Sequence, residues 1–257
     1  MKKFKYIIVI SLILFSFFLT DRIIIFTENR NPLMKEIIKN AHLFQTESVN
    51  AVVSDNTVVP GISGKEVSVR RSYIKMGEFG FFNENFLAFD DIRPDISLYD
   101  SLDKVIVSGN SAKREVAFVL EESNTNEEIF NKGNIQYSII ANTKTDLSIP
   151  REYINGEIDL KKRSDLNFLL NRRKINKKIC LVNYSDIEYC QQKKQYIVSP
   201  SIDTKDNITD NLTKIRSGDI ILIRKSSSAN NINLLIKEIR RQNLSPVTLS
   251  KLISETH

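Results

Sequence analysis

The spacing of apolar residues changes along the first 45 residues of the chain. Three lysines precede the uncharged run YIIVISLILFSFFL (Tyr6–Leu19), and apolar sequence resumes with IIIF, so the stretch to Phe26 has 21 residues. A helix that spans a membrane needs roughly 17–25 residues. In NPLMKEIIKNAHLF the apolar positions instead recur every three or four residues, which is typical of an amphipathic helix capped by Asn31. The pattern predicts a transmembrane helix over 1–27 and a juxtamembrane helix after it.

The orientation of the chain follows from the amino-terminal lysines. Such residues stay on the cytoplasmic side, so the remainder is expected outside the cytoplasm. No small-residue cleavage motif follows the apolar run, which favours an uncleaved signal-anchor over a cleaved signal peptide. Either alternative predicts an extracytoplasmic body, and the first predicts a single-pass protein of the cell membrane.

Short β-rich runs characterise the next segment, residues 28–112. Two of them flank a Pro60-Gly61 turn, a helix is expected from about Ser68 to Gly80, and DKVIVSG adds another strand. We expect a small α+β extension here. Its aromatic residues are open to two interpretations, a sugar-stacking platform or an apolar core; they are Tyr73, Phe79, Phe81, Phe82, Phe86 and Phe89.

From 113 to 257 strands alternate with helices. The runs VAFVL, ICLV and DIILI are almost continuously apolar, which is typical of strands buried on both faces of a parallel sheet. We therefore expect an α/β domain over 113–257.

Charge and cysteine content each leave two interpretations open. Residues 151–257 carry 20 basic and 12 acidic side chains, and 161–178 alone contain eight basic residues. Such a surface either binds anionic polymer or lipid headgroups, or is simply solvated. Nucleic acid is not expected as a partner outside the cell. Cys180 and Cys190, separated by nine intervening residues, either pair in an oxidising compartment or remain small buried side chains.

The order of elements in 113–257 resembles the polysaccharide deacetylase (NodB-homology) domain. VAFVLEES (Val116–Ser123) stands where that family has a strand ending in Thr-Phe-Asp-Asp-Gly, and SGDIILIRK (Ser217–Lys225) stands where it has a late strand ending in histidine. NLSPVTLSKLISE (Asn243–Glu255) is similar to the closing segment of the family. The resemblance implies a shortened, distorted (β/α) barrel, preceded here by the α+β extension and the transmembrane helix.

The family's chemistry makes the departures of this chain informative. The resemblance implies a divalent metal held by one aspartate and two histidines, a base aspartate and a proton-donating histidine on the late strand. The aspartates are replaced by Glu121 and Glu122, and the late histidine by Arg224. Of the Arg-Pro-Pro-Tyr substrate loop only Tyr184 remains.

Histidine content decides how these departures are interpreted. The chain has two histidines, His42 and His257, and neither can supply the helix-borne ligand pair; its expected place holds Lys161, Arg163 and Asp165. We expect no metal site and no cofactor, and interpret Glu121 and Glu122 as a polar strand end or as partners of Arg224.

Three hypotheses follow for function. The first is a catalytically inactive membrane protein that binds cell-envelope glycan or an envelope partner. The second is an active deacetylase with a reorganised zinc or other divalent metal site on Glu121 and Glu122. The third is a structural scaffold whose basic face meets anionic wall polymer.

Overall fold

The structure is a computed structural model that describes residues 2–141, 145–155, 174–182, 187–206 and 208–256. Its described helices are α1 (Lys2–Arg30), α2 (Pro32–Ala41), α3 (Val69–Gly77), α4 (Asn124–Lys132), α5 (Ile187–Gln192), α6 (Ile208–Lys214), α7 (Ala229–Arg241) and α8 (Leu249–Ile253). Its described strands are β1 (Val52–Val53), β2 (Thr57–Val59), β3 (Gly64–Val67), β4 (Phe89–Ile92), β5 (Val105–Ile106), β6 (Glu115–Glu121), β7 (Ser138–Ala141), β8 (Glu152–Asn155), β9 (Ile175–Leu181), β10 (Tyr196–Val198), β11 (Ile202–Asp203), β12 (Ile220–Ile223) and β13 (Ser245–Val247).

The chain divides into two compact units. The first contains Met1–Ser48 and Gly64–Ile92, and the second contains Val49–Ser63 and Arg93–His257. The sheet of the second unit includes β1, β2 and β5, which precede residue 113 in sequence.

The first unit is built on α2, α3 and the antiparallel pair β3–β4. The predicted cap of α2 is confirmed, since the Asn31 side chain accepts a hydrogen bond from the backbone N–H of Leu33 at 2.9 Å. The predicted apolar face of α2 is buried through Leu33, Met34 and Ile37. Ile37 packs in a core with Met76 of α3.

The predicted transmembrane segment forms part of α1. Among the described residues, no helix combines the length and apolar character that crossing a membrane requires. The anchor over 1–27 therefore stays a prediction.

The aromatic residues of the first unit divide between its core and its surface. Tyr73, Phe82 and Phe86 pack partly buried against the core, as the core interpretation predicts. Phe79 and Phe81 are exposed, and the Phe79 ring stacks on Phe86 with centroids 4.7 Å apart.

The second unit is organised by one sheet, which in the described residues runs in the order β1-β2-β5-β10-β9-β8-β7-β6-β12-β11, with β13 pairing β6. The pairings are parallel except β1 with β2. The α/β class is confirmed, but the sheet is not closed, so the prediction of a barrel is wrong for the described strands. The outermost strands on the two sides of the sheet are the two-residue strand β11 and the antiparallel strand β1, and no described strand joins them.

Strands β6 and β12 lie in the middle of the core. Side chains of Val116–Leu120 and Ile220–Ile223 have no exposed surface. Alternate residues of β6 contribute to different clusters, with Phe118 packing on one face of the sheet and Val119 on the other. Burial on both faces is the arrangement that the continuous apolar runs predict.

A disulfide joins Cys180 of β9 to Cys190 of α5, with Cα atoms 6.0 Å apart. Both residues are fully buried and pack with Ile197 of β10. The sequence left pairing open because nine intervening residues do not reveal whether the helix folds back on its strand.

Candidate functional site

The register of the parallel strands assembles charged residues at one edge of the sheet. Ile223 of β12 lies opposite Leu120 of β6, so the residues that follow them, Arg224 and Glu121, are neighbours. Asp203, the last residue of β11, lies opposite Leu222 of β12. Carboxyl ends of parallel strands meet at the same edge, so three charged side chains converge there.

Arg224 bonds to both carboxylates. Its Nη1 donates to Glu121 Oε1 at 2.9 Å, its Nε donates to Asp203 Oδ1 at 2.9 Å, and its Nη2 donates to Asp203 Oδ2 at 2.6 Å. The pair with Asp203 is therefore bidentate along one edge of the planar guanidinium, while Nη1 bonds Glu121, a geometry that lysine cannot reproduce. The three side chains are about three-quarters buried, with exposed fractions of 22% for Arg224, 26% for Glu121 and 21% for Asp203.

Backbone contacts hold this cluster in place. The backbone N–H of Lys225 donates to Glu121 Oε2 at 2.7 Å. The backbone N–H of Arg224 donates to Thr204 Oγ1, and its carbonyl accepts from the side-chain amide of Asn126 in α4. Arg224 is thus fixed through its main chain as well as its side chain, and the ion pairs form between prepositioned groups.

The arginine also affects the titration of Asp203. Burial raises the pKa of this carboxyl, but hydrogen bonds from Arg224 and from the Lys205 backbone, together with their charges, outweigh burial and leave the pKa lowered. Asp203 therefore remains ionised near neutral pH and stays paired with Arg224.

The other predicted site residues are more dispersed. Glu122 Oε2 accepts a hydrogen bond from Thr145 Oγ1 at 2.7 Å. His42 lies in a short 3₁₀ turn of the first unit. Outside the described residues lie Tyr184, His257, Lys161, Arg163 and Asp165.

Asp203 is the member of this cluster that the sequence does not predict. Its strand has two residues and no alternating pattern, so nothing local identifies PSIDTK as part of the sheet.

The donor set at this edge does not fit a divalent metal. Glu121 and Asp203 are bonded to a guanidinium, and a cation sharing Glu121 Oε1 would face Arg224 Nη1, 2.9 Å from that oxygen. Within the described ranges, no three histidine, cysteine, aspartate or glutamate side chains are grouped as metal ligands. We therefore assign no catalytic step to a metal here.

No family model matches the chain. The uncharacterized protein YlxY from Bacillus subtilis (strain 168) is 29% identical over 102 residues, which is 39% of this chain and 32% of YlxY. The match thus spans about a third of that relative's length.

Solved structures give a more extensive match. The wild-type CE4 family pseudoenzyme from Bacillus anthracis is 18% identical with a TM-score of 0.57, over 88% of this chain and 96% of that chain. A mutant of that pseudoenzyme, described as having restored enzymatic activity, gives a TM-score of 0.59 at 18% identity, over 88% of this chain and 99% of that chain. The chain therefore has the fold of the CE4 polysaccharide deacetylases, as the resemblance in its motifs predicted.

Proposed function

We propose that this protein is a catalytically inactive, membrane-anchored relative of the polysaccharide deacetylases that binds cell-envelope glycan at the carboxyl edge of its sheet. The observation that carries the proposal is the ion-paired Arg224, which stands at the position that the resemblance assigns to the late-strand histidine.

The chemistry of deacetylation explains why this arginine argues against catalysis. Hydrolysis of an N-acetyl group needs an activated water and a group that protonates the leaving amine. A guanidinium stays charged at all relevant pH values and cannot exchange that proton. Glu121 and Asp203 accept hydrogen bonds from the same guanidinium, so neither is placed to act as a metal ligand.

The comparisons support an inactive protein with this fold. The similar Bacillus anthracis structure is described as a pseudoenzyme, and its mutant as having restored activity. That protein is an example of a CE4 fold without its activity. Restoration in the present chain would need more than an Arg224→His change, since the chain has two histidines and both lie far from the motif positions in sequence.

Glycan binding is proposed for this edge because loops at the carboxyl ends of parallel strands are the usual ligand sites of α/β folds. Glu122 is partly exposed there and the side chain of Lys225 is exposed. A carboxylate and an ammonium group supply acceptors and donors for sugar hydroxyls. The further contact predicted for Tyr184 belongs to the same proposal.

One observation supports the membrane anchor and another supports a location outside the cytoplasm. Apolar side chains of α1 are exposed, among them Leu14 at 64% and Phe17 at 71%, which suits insertion of this helix into lipid. The Cys180–Cys190 disulfide is of the kind that persists in oxidising compartments. The membrane anchor and the envelope location are proposed on these grounds.

Titration of the full chain in detergent with N-acetylglucosamine oligomers tests the proposed binding. We expect binding without release of acetate. Glu122→Gln keeps the side-chain volume but removes the charge, so binding should weaken several-fold because charge-assisted hydrogen bonds are about twice as strong as neutral ones. Glu128→Gln on the exposed face of α4 is the matched control. Release of acetate, or equal affinity of both variants, would contradict the proposal.

A further inference from the structure

A cavity of about 480 Å³ lies on the side of the sheet where the parallel strands begin, opposite their carboxyl ends. Asn176 and Ile179 of β9 line one side together with Tyr196, the first residue of β10. Ile253 of α8 and the three residues after it line the other side. Since these strands run parallel to β6 and β12, the amino-terminal ends of β9 and β10 lie opposite the edge that holds Arg224. The cavity is therefore separate from the site described above.

The charged side chains that line this cavity are two cations and one anion, Arg93, Lys178 and Glu255. Glu255 is held by the backbone, because its Oε1 accepts from the N–H of Leu98 at 2.7 Å and from the N–H of Gly61 at 3.2 Å. These two backbone donors hold the Glu255 carboxylate in its position at the cavity. The described lining residues thus carry one net positive charge, and Asp100, which does not line the cavity, lies beside Arg93.

Arg93 is oriented by its neighbours. Its Nη2 donates to Ser97 Oγ at 2.7 Å, and its Cζ lies 5.5 Å from the centroid of the Tyr99 ring. Asp100 Oδ2 is 3.8 Å from Nη2, which is an ion pair beyond hydrogen-bond distance. The guanidinium has five donors in a planar fork, and such a fork binds carboxylates through paired hydrogen bonds.

The remaining side chains of the lining provide an apolar and aromatic surface against which the ring of a ligand can pack. Leu98, Ile179 and Ile253 are buried and supply apolar surface, and the rings of Tyr99 and Tyr196 supply flat faces. Burial, followed by the charge of Glu255, raises the pKa of Tyr196, so its phenol stays protonated and able to donate. The volume lies within the roughly 300–1,000 Å³ typical of small-molecule sites.

We propose that this cavity binds a small carboxylate carried on a single ring, with the carboxylate at Arg93 and Lys178 and the ring against Tyr99 and Tyr196. The ring can come from an acidic sugar or from an aromatic acid, which share this chemistry. The site is independent of glycan binding at the Arg224 edge.

Matched acid and neutral ligands test the proposal on the full chain in detergent. The sugar pair is N-acetylmuramate and N-acetylglucosamine, and the aromatic pair is 4-hydroxybenzoate and 4-hydroxybenzamide. We expect at least one acid to bind ten-fold or more tightly than its neutral counterpart in calorimetric titration. Which acid binds more tightly identifies the source of the ring. Failure of both acids to bind would overturn the proposal.

Variants locate the binding. Arg93→Gln and Lys178→Gln should each weaken the preferred acid at least five-fold, whereas Lys237→Gln, an exposed lysine on α7, should leave it unchanged. Lys178 is itself exposed, so its variant tests the site if the Arg93 variant fails to fold. Glu122→Gln should have no effect on this ligand, which separates the outcome from that of glycan binding. Unchanged affinity in the Lys178→Gln variant, or an equal loss in Lys237→Gln, would refute the assignment.

Discussion

Replacing Arg224 by alanine is expected to lower the free energy of unfolding by about 2–3 kcal/mol. Removing one partner of a buried ion pair costs about 3–5 kcal/mol because the remaining charge is left desolvated. Partial solvent access at Glu121 and Asp203 reduces that figure. Urea denaturation measures the loss, followed by tyrosine fluorescence because the chain has no tryptophan.

The pH dependence of this variant follows from the lowered pKa of Asp203. A carboxyl whose pKa is lower in the folded state stabilises the protein above its unfolded pKa, and this contribution is lost as pH falls through the folded pKa. The difference between the variant and the wild type should therefore shrink below about pH 4. Arg241→Ala, which removes an arginine exposed by 72% from its pair with Glu238, is the control and should have a much smaller effect because exposed ion pairs contribute little to stability. Equal decreases in the free energy of unfolding of the two variants would show that the Arg224 cluster stabilises the fold no more than an exposed ion pair does.

Removing the disulfide is expected to cost about 2–4 kcal/mol. Cross-linking Cys180 to Cys190 limits the unfolded chain, and both residues are fully buried. The test compares wild type with a Cys180→Ala/Cys190→Ala double variant in urea. The wild type should lose stability when a reductant is added, while the variant should not respond to it. A wild type whose unfolding is insensitive to reductant would contradict the disulfide.

The central strands could be predicted from the sequence because burial on both faces requires apolar residues at consecutive positions. VAFVL and DIILI are apolar without interruption, and they form β6 and β12. The start of α2 could also be predicted, because Asn31 and Pro32 favour the beginning of a helix through local geometry. In both cases the information lies within a few residues.

What could not be predicted depends on contacts distant in sequence. The pairing of β2 with β5, which places Val49–Ser63 in the second unit, is set by tertiary packing rather than by local pattern. Asp203 reaches Arg224 only because β11 pairs with β12. The resemblance to deacetylases suggested that Glu121 and Arg224 would meet, but the third member of the cluster required the register of the strands.

The central claim is that Arg224, by pairing with Glu121 and Asp203, leaves the site inactive. The metal content of the full chain tests this claim most directly. The protein would be purified in detergent, incubated with zinc, desalted and measured for bound metal, with acetate release from N-acetylglucosamine oligomers followed in parallel. We expect no stoichiometric zinc and no acetate. One tightly held equivalent of zinc, lost in a Glu121→Gln/Glu122→Gln double variant, together with acetate release would contradict it and establish a working metal-dependent deacetylase.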